Sequence, residues 1–322
     1  MADIIGLVLP FFGMIFLGGL AARITRQPLE ALGWMNTFII YVALPALFFQ
    51  LLARTPIEQL TEWRYILGSV LATYMVFSLM FVASVVLSRG DIASSTIKSL
   101  AACYGNIGYM GPGLALLAFG PEAAVPVALI FCFENVVHFA VAPTMMALAG
   151  GEKASPGALA LGVIKRIVLH PFIIATAAGV LAAWAEFQPP LSFARLLDTL
   201  AQAAAPCALF AMGVTLALRP LKRIPRELGA IAALKLVIHP ILCYVMLSLI
   251  GDFSEAWVFS AVLLAGLPTA ANVFVIAQQY DVWVQRASAS VLLTTVLSVV
   301  TVTALLYLIK SGILPPDLFP SG

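Results

Sequence analysis

Charge is what this sequence has least of. Only 10% of its 322 residues are charged, 17 basic and 15 acidic, with 3 histidines beside them. A chain so poor in solvated groups has no length to give to a soluble catalytic or output domain. Four cysteines, Cys103, Cys132, Cys207 and Cys243, lie inside apolar stretches with no CxxC spacing. That excludes a disulfide framework and a cysteine metal site, so no metal ligands are assigned. No HExxH, GxGD or GxSxG pattern occurs, so no catalytic residue is assigned and an enzyme is not expected. The net charge of +2 carries no sign of a nucleic-acid partner.

What is abundant is apolar surface. Hydrophobic residues make up 62% of the chain and mean hydropathy is +1.05. A bilayer span takes roughly 20 such residues, which leaves material for about ten spans and little else. Breaks at charged or Pro/Gly-rich clusters place spans at 4–22, 32–53, 63–88, 96–119 and 123–149, then at 163–184, 193–218, 227–250, 256–279 and 286–309. The first span ends in Ala-Ala-Arg like a signal peptide, but Asp3 stands where a basic leader belongs, and the span is expected to stay.

The second half repeats the first. A shift of 161 residues takes Pro10-Phe11 to Pro171-Phe172, Gly18 to Gly179, Leu20 to Leu181, and Ala21-Ala22 to Ala182-Ala183. In the next apolar segment it takes Pro45 to Pro206 and Phe49 to Phe210. Five spans per copy is an odd number, so the copies must be inverted, an arrangement typical of secondary transporters. The expected organisation is a first repeat over 1–149, a cytoplasmic linker over 150–162 and an inverted second repeat over 163–322. The fold class is an all-α polytopic membrane protein of ten transmembrane helices.

Basic residues set the orientation. Twelve of the 17 fall in or beside the connections after the odd-numbered spans, among them Arg23, Arg89, Lys153, Lys222 and Arg286. Arg54, Arg64, Arg195 and Lys310 lie on the other side, and Lys235 sits within a span. The positive-inside rule then puts the odd loops in the cytoplasm and both termini outside.

Spans 4 and 9 are not ordinary helices. Gly105-Asn106-Ile107-Gly108-Tyr109-Met110-Gly111-Pro112-Gly113 holds four glycines and a proline in mid-span, and the equivalent segment reads Gly266-Leu267-Pro268-Thr269-Ala270-Ala271-Asn272. Proline removes an amide donor and glycine permits unwinding. Broken backbone cannot face lipid, so it must be buried or line a cavity. Matched interruptions in two repeats point to a transport site. Kinked helices packed through small residues are the plainer alternative. Asn106, Tyr109, Pro112, Pro268 and Asn272 are therefore the substrate and crossover candidates. Four half-helix ends meeting there, with positive N-termini, suit a small organic anion.

Polar residues deep in the spans are few. Glu134 is the only acid near a span centre, with Asn135 beside it and His138 one turn on. A charge at that depth costs about 2.5–3.5 kcal/mol on insertion scales. Glu134 is either a coupling site for protons or a cation, or half of a structural Glu134–His138 hydrogen bond. Lys235 and His239 repeat the i, i+4 pairing in span 8. Lys235 pairs with Glu134, attracts the anion, or snorkels to the headgroups. Glu134, Asn135, His138 and Lys235 are the coupling or cavity-lining candidates, with H⁺ coupling as one expectation, Na⁺ as its alternative, and no organic cofactor.

Three segments carry a family resemblance. Tyr41-Val42-Ala43-Leu44-Pro45-Ala46-Leu47-Phe48-Phe49 resembles the second helix of auxin efflux carriers, in the bile-acid/arsenite/riboflavin transporter superfamily. Asn106-Ile107-Gly108-Tyr109-Met110-Gly111-Pro112 is similar to their first helix break, and Leu267-Pro268-Thr269-Ala270-Ala271-Asn272 with Ala277-Gln278-Gln279-Tyr280 to their second. The resemblance implies a crossover fold in which helices 1, 2, 6 and 7 form a scaffold that often dimerises. Helices 3–5 and 8–10 would form a transport domain moving as an elevator. It also implies a bacterial inner-membrane carrier of malonate-like or auxin-like carboxylates. A sodium-coupled symporter of the bile-acid type is the rival transporter reading. A receptor that binds without transporting is the reading from another class.

The charge bias yields a direct test. A cysteine at Glu152 should be labelled only from the cytoplasmic side of intact cells, and labelling from outside would overturn the orientation.

Overall fold

In the computed structural model the described residues are 2–150, 168–187, 189–218 and 225–319, with isolated positions between 157 and 165. Most of the linker expected over 150–162, including Glu152, Lys153 and Pro156, lies outside them, as do Arg166, Arg219, Lys222 and Arg223. The helices are α1 Ala2–Thr25, α2 Leu29–Ala53, α3 Trp63–Leu87, α4 Ile92–Cys103, α5 Gly111–Phe119 and α6 Pro121–Leu148. They continue with α7 Pro171–Trp184, α8 Leu191–Leu218, α9 Arg226–Ile250, α10 Glu255–Ala265, α11 Ala271–Tyr280 and α12 Val284–Lys310. Among the described residues there is no strand, and six helices, α2, α3, α6, α8, α9 and α12, are long and apolar enough to cross a bilayer.

These helices are inside-out relative to those of a water-soluble protein. On α3 the buried side holds Tyr65, Gly68, Ser69, Ala72, Thr73, Val76 and Ser84, while Leu67, Leu71, Leu79, Val82 and Val86 point outward. Small and hydroxyl-bearing residues let backbones approach and satisfy one another, and large aliphatic ones meet lipid. The chain is an integral membrane protein.

The helices pack into two compact units. The first comprises residues 1–62, 108–132 and 168–220, and the second 63–107, 133–167 and 221–322. In the first, α1 packs along α8 and α2 along α7. The approach is so close that a Cβ on Gly18 would run into the Phe210 carbonyl oxygen, and one on Gly179 would lie 2.9 Å from that of Phe49. Those two approaches exchange partners under the 161-residue shift. The Phe48 and Phe131 rings stack at 4.2 Å between centroids. Gln50 and Arg54 both reach Asp198 Oδ1, at 2.8 and 3.2 Å.

The second unit has its own core, built around Val76, Ile97, Leu100, Tyr104, Ile231, Val273 and Ala287. At one end Glu227, in the first turn of α9, ties together the middle of α4 and the start of α12. It meets Lys98 at 3.2 Å and Arg286 at 2.6 Å, and accepts from the Trp283 indole at 3.2 Å. The tail after α12 folds back on α9, where the Tyr244 hydroxyl donates to the Pro315 carbonyl and Leu318 N–H to Ser248 Oγ at 3.2 Å.

Proline shapes both long helices that carry a π turn. Ile39–Ala43 in α2 and Leu234–Ile238 in α9 are π-helical, and Pro45 and Pro240 follow within two residues of each turn. A proline ring clashes with the carbonyl one turn back, and a wider turn relieves it. Most span ends fall within a few residues of their expected places, but the helix of span 6, expected from 163, starts at Pro171 after an extended His170. The first interruption also differs: it was expected to run to Gly113, but α5 resumes at Gly111. Pro112 fits the first helical turn because its missing donor is idle there.

The close glycine approach predicts a clear stability difference. Gly18→Ala should lower stability by about 1–3 kcal/mol, since a backbone carbonyl cannot give way as a side chain can. Gly13→Ala should be near neutral, because a Cβ there meets nothing within 4 Å. Melting of the detergent-solubilised protein measures both.

Candidate functional site

The second unit brings the two interruptions together as paired backbone. Residues 104–110 separate α4 from α5, and 266–270 separate α10 from α11. Gly105 and Thr269 form an isolated antiparallel bridge. Asn106 N–H donates to the Pro268 carbonyl at 2.7 Å, and Ala270 N–H to the Tyr104 carbonyl at 2.9 Å. Two side chains satisfy what the bridge leaves. Thr269 Oγ1 donates to the Ala101 carbonyl at 2.7 Å, and the Thr269 amide donates to Thr294 Oγ1 at 3.1 Å. Backbone groups freed by unwinding thus find partners inside protein, as a low-dielectric setting demands.

Against this bridge lies a buried chain of polar side chains. Lys235 is fully buried, and its ammonium donates to the Ala265 carbonyl at the end of α10. It also meets His239 Nδ1 at 3.1 Å, and His239 Nε2 meets Thr73 Oγ1 at 3.0 Å. Thr73 Oγ1 donates to Glu134 Oε1 at 2.8 Å. An ammonium can only donate, so Nδ1 must accept and the imidazole proton sits on Nε2. The Thr73 oxygen then accepts from His239 while its hydrogen goes to Glu134. Donors run in one direction, from Lys235 to Glu134.

A second cluster adjoins the interruptions through Tyr104. Its hydroxyl accepts from Asn272 Nδ2 at 2.8 Å and donates to Asn135 Oδ1. Its ring stacks on His138 at 4.0 Å between centroids. His138 Nδ1 pairs with the Tyr74 hydroxyl at 2.8 Å. His138 is fully buried, and among the described residues its Nε2 has no hydrogen-bond partner.

Of the residues singled out in the sequence, Asn106, Pro268, Asn272, Glu134, Asn135, His138 and Lys235 all belong to this second unit. Tyr109 and Pro112 belong to the first, where Tyr109 is half-buried in the turn before α5 and Pro112 is buried within it. Two side-chain expectations are corrected. Glu134 bonds to Thr73 rather than His138, because α3 supplies a hydroxyl nearer its carboxylate. Lys235 does not snorkel: the Ala265 carbonyl and His239 hold it inside. Thr73, Tyr74, Tyr104 and Thr269 were missed. Tyr104 and Thr269 each flank a break residue, a usable signal, whereas Thr73 and Tyr74 look like any polar residue in an apolar helix.

Comparison with known proteins adds relatives to this geometry. Residues 3–306 match the family described as "Membrane transport protein". A "Putative malonate transporter" of Rhizobium meliloti (strain 1021) is 65% identical over 320 residues, covering 99% of this chain and all of the relative. An "Uncharacterized transporter" of Methanothermobacter thermautotrophicus (strain ATCC 29096 / DSM 1053 / JCM 10044 / NBRC 100330 / Delta H) is 24% identical over 270 residues, 83% of this chain and 85% of the relative.

Proposed function

The chain belongs to the membrane transport protein family, the auxin efflux carrier group, and from that premise we propose that it is a secondary carrier of a small carboxylate such as malonate. The observation that carries this reading is the paired interruption of α4/α5 and α10/α11, with Asn272, the open Nε2 of His138 and the Lys235 ammonium gathered around it. An anion needs donors and positive charge. Here the N-terminus of α11, an amide side chain and a buried ammonium supply them. The 65% identity to a protein described as a malonate transporter points to the same class of cargo.

The carrier works by alternating access in crossover-elevator fashion, between two five-helix inverted repeats. Support for the inversion comes from the reciprocal pairs Gly18/Phe210 and Gly179/Phe49, since a two-fold relation makes residue i meet j where its repeat mate j′ meets i′. The first compact unit contains α1, α2, α7 and α8 and would be the scaffold, through which two copies associate as a homodimer. The second would be the moving domain. The protein sits in a bacterial inner membrane with both termini outside.

Uptake into proteoliposomes of the full chain, with a panel of mono- and dicarboxylates, tests the cargo. Malonate or a close analogue should accumulate, and binding without accumulation would indicate a receptor. Asn272→Ala and Asn106→Ala should each cut uptake about 10- to 100-fold, the cost of one hydrogen bond to a charged group, while the protein still inserts. Pro268→Ala should also impair uptake by favouring a continuous helix. Parent-like uptake by all three variants would move the site elsewhere.

A further inference from the structure

Lys235 and Glu134 are opposite charges in the same buried layer, yet they make no direct ion pair among the described residues. His239 and Thr73 stand between them. Charge compensation alone would bring ammonium and carboxylate into contact, which maximises attraction in low dielectric. The two groups inserted instead are an imidazole and a hydroxyl, each able to give a proton on one side and take one on the other. We propose that Lys235–His239–Thr73–Glu134 is a binding site for one proton, which the carrier takes up and releases together with its anionic substrate. This rests on the carboxylate-carrier reading above.

The donor bookkeeping gives the coupling. In the unloaded state every hydrogen of the chain points toward Glu134 and its net charge is zero. One proton added to the Glu134 carboxylate forms an O–H bond and leaves a neutral acid. The ammonium of Lys235 is then the only charge left in the chain and is available to an anion at the bridge. If the new acid donates to Thr73 Oγ1, Thr73 turns its own hydrogen to His239 Nε2. The imidazole proton must then sit on Nδ1, where it faces the Lys235 ammonium. Two donors cannot share that contact, so Lys235 lets go of His239. Proton and anion bind at opposite ends, each favouring the other, and reciprocity is required of any such coupling. In this reordering the Nε2–H bond of His239 breaks and an Nδ1–H bond forms, the ring keeping one proton, and both changes reverse when the proton leaves Glu134.

The position of Lys235 fits that role. Its Nζ lies 3.2 Å from where a Cβ on Gly105 would be, and it donates to the last carbonyl of α10, so it touches both interruptions. The π turn Leu234–Ile238 carries Lys235 one turn before His239. The other titratable groups in electrostatic reach of Glu134 or Lys235 are Tyr65 and Tyr74 of α3, Cys103 of α4, His138 of α6 and Cys243 of α9. The phenols and thiols among them are uncharged at neutral pH.

Full-length protein in proteoliposomes separates the two parts of the claim. Labelled malonate counterflow reports substrate handling, and a trapped pH dye under clamped potential reports proton movement. In the parent, an inward malonate gradient should carry protons inward, and an imposed pH gradient should concentrate malonate. Glu134→Gln keeps the acceptor for Thr73 but cannot bind the proton, and Thr73→Val cuts the chain at nearly constant volume. Both variants should retain malonate counterflow and lose pH-driven accumulation, while Thr73→Ser restores it. Accumulation by either variant that still follows the pH gradient would overturn the proposal. So would sodium-driven, pH-independent uptake by the parent. Loss of counterflow in Thr73→Val with normal Thr73→Ser would also overturn it, because the hydroxyl would then serve the substrate directly. A parent with no counterflow for any carboxylate would instead sink the carrier reading itself.

Discussion

A backbone amide or carbonyl without a partner costs several kcal/mol in an apolar interior, and the centre of this protein is arranged around that cost. Two segments leave the helical hydrogen-bond ladder at mid-span, and each supplies what the other lacks. The Asn106 amide finds the Pro268 carbonyl and the Ala270 amide finds that of Tyr104. The Thr269 hydroxyl closes the last turn of α4. Pairing strands is ordinarily a sheet's solution to the same problem. Here one bridge between two broken helices suffices because only a few residues are unwound.

The pairing dictates what surrounds it. Gly105 is held against both the Leu264 carbonyl, 3.1 Å from its notional Cβ, and the Lys235 ammonium. A larger residue would push the bridge apart or displace the lysine. The buried cation in turn needs acceptors, and it takes the end carbonyl of α10 and the ring of His239. His239 needs an acceptor for its remaining N–H, and Thr73 provides it, giving its own hydrogen to Glu134. Each polar group in the layer is therefore called for by the one before it. A half-satisfied network would be worse than an apolar core, which makes the open Nε2 of His138 stand out.

Much of this was legible in the chain. The interruptions announced themselves as glycine and proline where a bilayer calls for Leu and Val, and span ends followed the few charges available. Glu134 and Lys235 were legible because a charge in an apolar run is rare. Their partners were not. Thr73 and Tyr74 are two among several hydroxyl-bearing residues in a 25-residue apolar helix, and such hydroxyls commonly bond to their own backbone. Partner choice there depends on how α3, α6 and α9 meet, which no local pattern encodes. The i, i+4 rule offered His138 as one partner for Glu134, and packing supplied Thr73 from another helix instead. The Glu227 cluster with Lys98 and Arg286 was invisible for the same reason: its members are far apart in sequence and join only through packing.

The scarcity of charge bears on how strongly the few buried ionisable groups act on one another. In water an ammonium and a carboxylate several ångströms apart are screened and nearly independent, whereas in a dry interior their protonation states constrain each other. Each hydrogen passed along the Lys235–Glu134 chain has a single acceptor, so changing one proton reorders all the others. A protein with many buried charges would dilute that effect through alternative partners. With Glu134 and Lys235 at its ends and two amphoteric groups between them, the network has few ways to be satisfied. The proposed proton site draws on that sparseness: with few alternative partners, one added proton would be felt along its whole length.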